Sequence, residues 1–280
     1  MPELPEVQTI ARGLMTELRG RRIMSFELLS SGAVEKGRGA MSPAQMSRYL
    51  PGALIRRVWR RGKMLCIDLI TKREPLLHMC FHLKMTGRLV VVPAGSEPDR
   101  HTRIVFRLND GRALHFADAR KFGYCRVMAP DDLDRWPFYA TLGPEPLEIG
   151  EDAFLRLFEG RRSQVKSLLL DQHFIAGIGN IYADESLFRA GILPHAQADS
   201  VEPQRLRALH SAIHDVLTEA IAANGSSISD YRDAHGDSGA FQNDFRVYGR
   251  YGEPCRICQT TLERRTVAGR TSTYCPTCQH

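Results

Sequence analysis

Two cysteine pairs, Cys255-x2-Cys258 and Cys275-x2-Cys278, stand near the C-terminus with sixteen residues between them. No other feature limits the possible folds so tightly. Each Cys-x2-Cys can set two thiolates on one tetrahedral ion, and the spacing falls within the four-cysteine zinc pattern. Four thiolates fill the coordination shell and leave no position for water, so one structural zinc is expected, without zinc catalysis and without an organic cofactor. Two disulfides are the alternative, disfavoured in an intracellular chain. The zinc would hold a β-hairpin over residues 260–274, with Arg270 near its return strand. Cys66, Cys80 and Cys125 lie singly in apolar runs and read as buried thiols.

The other end of the chain carries chemistry of a different kind. From Val7 the apolar residues recur as Val7, Ile10, Ala11, Leu14 and Leu18, the stripe of an amphipathic helix. Pro5 and Glu6 suit its first turn, and Arg19-Gly20 its stop. Pro2 and Glu3 then sit just outside a helix N-terminus. If Met1 is removed, Pro2 offers a secondary amine, and α-amino groups titrate at about 7.7–8.0, near neutrality. Glu3 would be an acid or base one residue away. The alternative is that the two prolines only stiffen a terminus.

Between these ends, 280 residues with 43% hydrophobic content suffice for more than one core. Short β-like runs at 23–29, 54–59, 64–70, 76–83, 89–92, 104–108 and 113–116 argue for a sandwich or barrel. Gly62 puts Lys63 at a hairpin tip. Residues 129–150 are rich in proline and acid and read as a linker. Helical patterns follow at 152–158 and 164–170, and a long one opens at Pro203. Gly177-Ile178-Gly179-Asn180 suggests a doubled turn with Asn180 as N-cap of the next helix, a natural phosphate seat. The polar stretch 224–244, rich in glycine and serine, is long for a passive connection. The resulting expectation is an α+β multidomain chain: an N-terminal β-sandwich domain with an N-terminal helix (1–129), a linker (130–150), a helical domain with a loop (151–245) and a zinc finger (246–280).

A net charge of +6 favours an anionic partner. Arg56, Arg57, Arg60, Arg61 and Lys63 form one cluster without an acid. From Arg246 onward six arginines face only Glu253 and Glu263. Two separate basic clusters fit a phosphate backbone. No apolar run approaches the ~18 residues of a membrane span, and the acidic, helical start is not a signal peptide. A soluble, cytoplasmic protein without a membrane partner is expected.

In order along the chain stand Pro2-Glu3-Leu4-Pro5-Glu6-Val7, Arg61-Gly62-Lys63, Leu142-Gly143-Pro144-Glu145-Pro146-Leu147, Gly177-Ile178-Gly179-Asn180-Ile181-Tyr182 and the four-cysteine finger. In this set the chain resembles the bacterial formamidopyrimidine-DNA glycosylases, within the wider family that includes endonuclease VIII. The resemblance spans essentially the whole chain. It implies a β-sandwich and a helix–two-turn–helix domain, with double-stranded DNA bound between them by a monomer. It also implies excision of oxidised purines such as 8-oxoguanine and formamidopyrimidines, followed by β,δ-elimination at the abasic site.

Position by position, the resemblance makes Pro2 the Schiff-base nucleophile and Glu3 the acid assisting sugar opening. Lys63 becomes the β-elimination lysine and Arg270 the δ-elimination arginine. Met85, Arg120 and Phe122 match the trio that fills the void left by a flipped base. His101, Arg162 and Asn180 match further DNA-binding positions, and 224–244 the cover over the extruded base. Lys84 stands where the family pattern has glycine, and Arg162 where some members have lysine. Two other readings compete: an endonuclease VIII-like enzyme for oxidised pyrimidines, and a zinc protein that binds DNA without catalysis.

Overall fold

The computed structural model describes residues 1–227 and 238–280. The chain divides into two units, Met1–Thr141 with Asn224–Gly239, and Leu142–Ala223 with Ala240–His280.

The first unit opens with α1 (Leu4–Leu18), which buries Val7, Ile10, Leu14 and Leu18 along one face. After β1 (Ile23–Leu28) comes α2 (Pro43–Tyr49), started by a reciprocal cap: Ser42 N–H donates to Gln45 Oε1 (2.8 Å) and Gln45 N–H to Ser42 Oγ (3.3 Å). Seven strands follow: β2 (Leu54–Arg61), β3 (Met64–Ile70), β4 (Leu77–His82), β5 (Gly87–Val92), β6 (Thr102–Leu108), β7 (Ala113–Asp118) and β8 (Tyr124–Met128). They make two antiparallel sheets, β2-β3-β4-β8 and β1-β6-β7-β5. The sheets share one core, in which Phe81 meets Phe106 and Phe116 with ring centroids 6.1 and 5.4 Å apart, and α1 packs into the same core.

Side chains on a strand alternate between faces. Leu65 and Ile67 therefore enter the shared core, while Met64, Cys66 and Cys80 pack on the opposite face with Leu133 and Trp136. Those last two residues come from the stretch expected to be a linker. Residues 130–141 instead form α3 (Pro130–Asp134) and α4 (Pro137–Ala140) and belong to the first unit. Their prolines occupy first-turn positions, where a missing N–H costs nothing, so a proline-rich composition concealed two short helices.

The second unit holds α5 (Glu151–Phe158), α6 (Val165–Leu170), α7 (Asn180–Arg189) and α8 (Pro203–Ala222). The buried stripe of α8 runs Leu206, Leu209, Ile213, Val216, Leu217, Ala220 and Ile221. A hairpin of β9 (Glu263–Val267) and β10 (Arg270–Tyr274) completes it. The described residues of the stretch 224–239, namely 224–227 with 238 and 239, group with the first unit rather than with the second. Residues 228–237 of the expected cover lie outside the described residues. The sandwich with its N-terminal helix, the two-turn helix pair and the cysteine hairpin are the architecture expected. No described helix is long and apolar enough to cross a membrane.

Candidate functional site

The chain's first residues are held by the helix that follows them. Glu3 is the N-cap of α1, and its N–H donates to Glu6 Oε2 at 2.8 Å. The other oxygen of Glu6 accepts both the N–H of Ser226 (2.8 Å) and its hydroxyl (3.1 Å). Gly225 stands at φ +80°, and a Cβ there would come within 2.8 Å of Glu6 Oε1, so only glycine lets the two segments meet. Glu3 is 4% exposed, and Met1 is 44% exposed. The nitrogen of Pro2 is therefore one residue from an anchored amide, at the positive end of a fifteen-residue helix.

Lys63 lies at the β2–β3 turn, where Arg61 pairs with Met64 and Gly62 takes φ +54°. Despite its place at a hairpin tip it is only 8% exposed, so it is not ordinary solvated surface. Three residues earlier, Arg60 Nε donates to Gln8 of α1 at 2.8 Å and ties this hairpin to the first helix. Burial, with Lys84 and Lys63 close by, pushes His82 down to about 3. Its imidazole is thus neutral, and Nδ1 accepts the Lys84 N–H at 3.1 Å.

Met85 and Phe122 are 43% and 56% exposed, unusual for large apolar side chains. The Arg120 guanidinium lies over the Phe122 ring, 4.9 Å from its centroid. Asp118, which the sequence reading missed, joins their two loops. Its carboxylate accepts the Thr86 hydroxyl, the Arg120 N–H (3.2 Å) and the Gly123 N–H (2.6 Å). Buried Arg103 lies 3.7 Å from it and also donates to the Gly123 carbonyl at 2.8 Å. Lys84 adopts φ +52°, the left-handed region that favours glycine, and its ammonium sits over Tyr124. His101, the residue whose carbonyl accepts the Asp118 N–H, is half-buried. Asp118→Ala is expected to cost roughly 3–5 kcal/mol, because Arg103 would remain buried beside no carboxylate. Urea unfolding reads this directly, and a loss below about 1 kcal/mol would remove Asp118 from that role.

In the second unit, the turns between α6 and α7 are organised by Gln172. Its Oε1 accepts the Gly177 N–H (2.9 Å), and its Nε2 donates to the carbonyls of Leu170 (3.0 Å) and Ile178 (2.9 Å). Gly143 braces them from outside: its N–H donates to the Gln172 carbonyl at 2.8 Å, and a Cβ there would fall 2.6 Å from the Phe174 backbone. Asn180, expected as the N-cap, is the first residue of α7, and Gly179 is the cap. The Asn180 side chain is free of that duty because its Nδ2 donates across to the Thr271 carbonyl of β10 at 3.1 Å. Arg162 is highly exposed, 3.9 Å from Asp199.

The four cysteine sulfurs lie within 4.8 Å of one another. Cys255–Cys278 and Cys258–Cys275 measure 3.9 and 3.4 Å. Tetrahedral zinc with ~2.3 Å sulfur bonds needs edges of about 3.8 Å, so the donor set fits one structural zinc. The N–H groups of Ile257 and Cys278 point at the sulfurs of Cys255 and Cys275 (3.5 and 3.4 Å) and would stabilise thiolates. Ala268 and Gly269 both take positive φ, +49° and +69°, the tight turn that sets Arg270 at the start of β10, exposed. Glu185, also unforeseen, accepts the N–H groups of Arg246, Val247 and Tyr248 at 2.9, 3.0 and 2.8 Å. Pro2, Glu3, Lys63, Met85, His101, Arg120 and Phe122 thus fall in the first unit; Arg162, Asn180, Arg270 and the four cysteines fall in the second.

Comparison with known proteins covers nearly the whole length. Residues 1–125 match the formamidopyrimidine-DNA glycosylase N-terminal domain, 142–232 the formamidopyrimidine-DNA glycosylase H2TH domain, and 252–280 a zinc finger found in FPG and IleRS. Among similar curated proteins, the formamidopyrimidine-DNA glycosylase of Solibacter usitatus is 45% identical over 279 residues, covering 100% of this chain and 99% of its own. That of Desulfitobacterium hafniense is 44% identical over 281 residues with both chains fully covered. Among solved structures, a Lactococcus lactis FPG mutant with a Fapy-dG containing DNA superimposes with a TM-score of 0.89 at 32% identity, covering 100% of both chains. A complex of the Lactococcus lactis Fpg with an abasic site containing DNA gives 0.88 at 32% identity, covering 99% of each.

Proposed function

The chain belongs to the formamidopyrimidine-DNA glycosylase family, a DNA glycosylase for oxidised purines in base excision repair, and from that premise we propose that it works through the amine of Pro2. The observation that carries this reading is the construction of the N-terminus: Glu3 N–H anchored by Glu6, Glu6 anchored by Ser226, and a buried Glu3 carboxyl beside the residue that bears the amine.

Once Met1 is gone, the Pro2 nitrogen attacks C1′ of the damaged nucleotide. The base leaves with a proton, and the C1′–O4′ bond opens as Glu3 protonates O4′, leaving a cationic iminium at C1′. Loss of the C2′ proton breaks C3′–O3′, with Lys63 assigned to that step. Loss of the C4′ proton then forms a C4′=C5′ bond and breaks C5′–O5′, with Arg270 assigned to the departing phosphate, and water hydrolyses the iminium. The covalent intermediate divides one difficult displacement into easier steps.

Duplex DNA with oxidised bases or abasic sites is the partner in this reading; the similar Lactococcus lactis proteins are in complex with a Fapy-dG containing DNA and with an abasic site containing DNA. Extrusion of a nucleotide leaves a gap that costs a few kcal/mol in lost stacking. Exposed Met85 and Phe122, with the Arg120 guanidinium over the Phe122 ring, have the chemistry to fill it. His101, Arg162 and Asn180 are assigned to phosphate contacts, a monomer is the working state, and the cytoplasm is the compartment proposed.

The test compares excision from duplexes carrying 8-oxoguanine, a formamidopyrimidine or thymine glycol. The two purine lesions are expected to be released at least about tenfold faster, a difference of about 1.4 kcal/mol in barrier. Preference for thymine glycol would instead support an endonuclease VIII-like substrate range.

A further inference from the structure

The finger's return strand has one edge paired with β9 and another that faces the helices. Along that second edge the carbonyl of Thr271 and the N–H of Thr273 point away from β9, two residues apart as an antiparallel strand requires. An unpaired strand edge is normally open to water or to another chain. Here it is taken up by side chains of α6 and α7. Lys166 is fully buried, and its Nζ lies 2.5 Å from the Ser272 hydroxyl and 3.4 Å from the Thr271 carbonyl. It also lies 2.7 Å from Asp184 Oδ1. The second oxygen of Asp184 accepts the Thr273 N–H at 3.2 Å, and Asn180 reaches the Thr271 carbonyl. Three consecutive residues of β10 are thereby gripped, and the residue immediately before them is Arg270.

We propose that Asp184 and Lys166 are positioning residues that hold β10 so that Arg270 is presented to the phosphate it must expel. The inference rests on the assignment of Arg270 to the second elimination. A buried ion pair is a poor device for stability alone, since similar-sized apolar residues often replace one without loss. It is a good device for direction, because each charge is aimed at a particular backbone or hydroxyl group. Apolar packing would keep the finger against the helices but would leave the Thr271 and Thr273 backbone groups without these partners, free to shift the strand along its own axis. Arg270 lies between this grip and the Ala268-Gly269 turn, so a shift at 271–273 moves its guanidinium directly.

The test uses the full-length, zinc-loaded protein on a duplex with a preformed abasic site, where base release plays no part. The readout is the ratio of δ-eliminated to β-eliminated strand, alongside the rate of borohydride trapping. Asp184→Asn is expected to lower that ratio about tenfold while trapping changes less than twofold and zinc stays at one per chain. In an Arg270→Ala background the same substitution is expected to change the ratio no further, since it acts only through Arg270. The apolar pair Lys166→Met with Asp184→Leu guards against simple unfolding: it is expected to keep zinc and still lose δ-product. Asp184→Glu is expected to recover part of the ratio. An unchanged ratio in zinc-loaded Asp184→Asn, an equal further loss in the Arg270→Ala background, or loss of zinc in both variants would overturn the proposal. Wild-type protein that makes no δ-product would overturn the Arg270 assignment instead.

Discussion

Replacing Pro2 with glycine is expected to slow borohydride-trappable complex formation on an 8-oxoguanine duplex at least about 100-fold, equivalent to about 2.7 kcal/mol of barrier. The reason lies in the nitrogen. A secondary amine that adds to C1′ gives an iminium with no N–H to lose, so the positive charge that draws electrons during both eliminations is permanent. Glycine offers a primary amine, whose imine must be protonated to do the same work. The proline ring also ties the nitrogen back to its own side chain and limits how the amine can turn, whereas glycine adds backbone freedom just before the amide that Glu6 anchors. The substitution leaves the α1 core untouched, because Val7, Ile10, Leu14 and Leu18 make those contacts, so folding should be preserved. Undiminished trapping by the glycine variant would place the nucleophile elsewhere, with Lys63 the first suspect.

The second large effect is expected from zinc removal. Chelation, or Cys258→Ser, should weaken binding to lesion duplex at least about 100-fold, or about 2.7 kcal/mol, and abolish δ-product. A lone two-stranded hairpin is marginal in water, and the apolar groups under this one are few: Phe188, Val247 and Leu262 with Cys255 and Cys275. Metal binding to such a segment is largely its folding energy. Without it the hairpin that carries the Ala268-Gly269 turn is expected to lose its fold, the grip of Asp184 and Lys166 loses the strand it acts on, and Arg270 is released. Full activity in protein with verified zinc loss would show that the finger stands by other means.

What could be read from the residues follows from how local the governing physics is. The cysteine spacing, the Val7–Leu18 stripe, the Gly62 turn and the short β-like runs are each decided within a few positions, and each appears where expected. α2 is equally local, its start written in Ser42-Pro43-Ala44-Gln45, a capping box. β8 escaped because Arg126 interrupts its apolar pattern; that arginine is buried, its guanidinium 4.7 Å from the Trp136 ring centroid. The carboxylates that organise the site were not legible at all. Glu6 meets Ser226 across 220 positions, Glu185 meets the finger's approach 61 to 63 positions away, and Asp118 joins two loops through Thr86. A single acid carries no sign of which distant amide it will accept. Only the fold supplies that.

The most direct test of the account is to find the atom that bonds to DNA. Protein incubated with an 8-oxoguanine duplex is reduced with borohydride and digested, and the nucleotide-bearing peptide is sequenced by tandem mass spectrometry. The expected result is a single adduct on the nitrogen of Pro2, in a peptide that lacks Met1. An adduct on Lys63, or efficient trapping by protein whose intact mass still includes Met1, would contradict it.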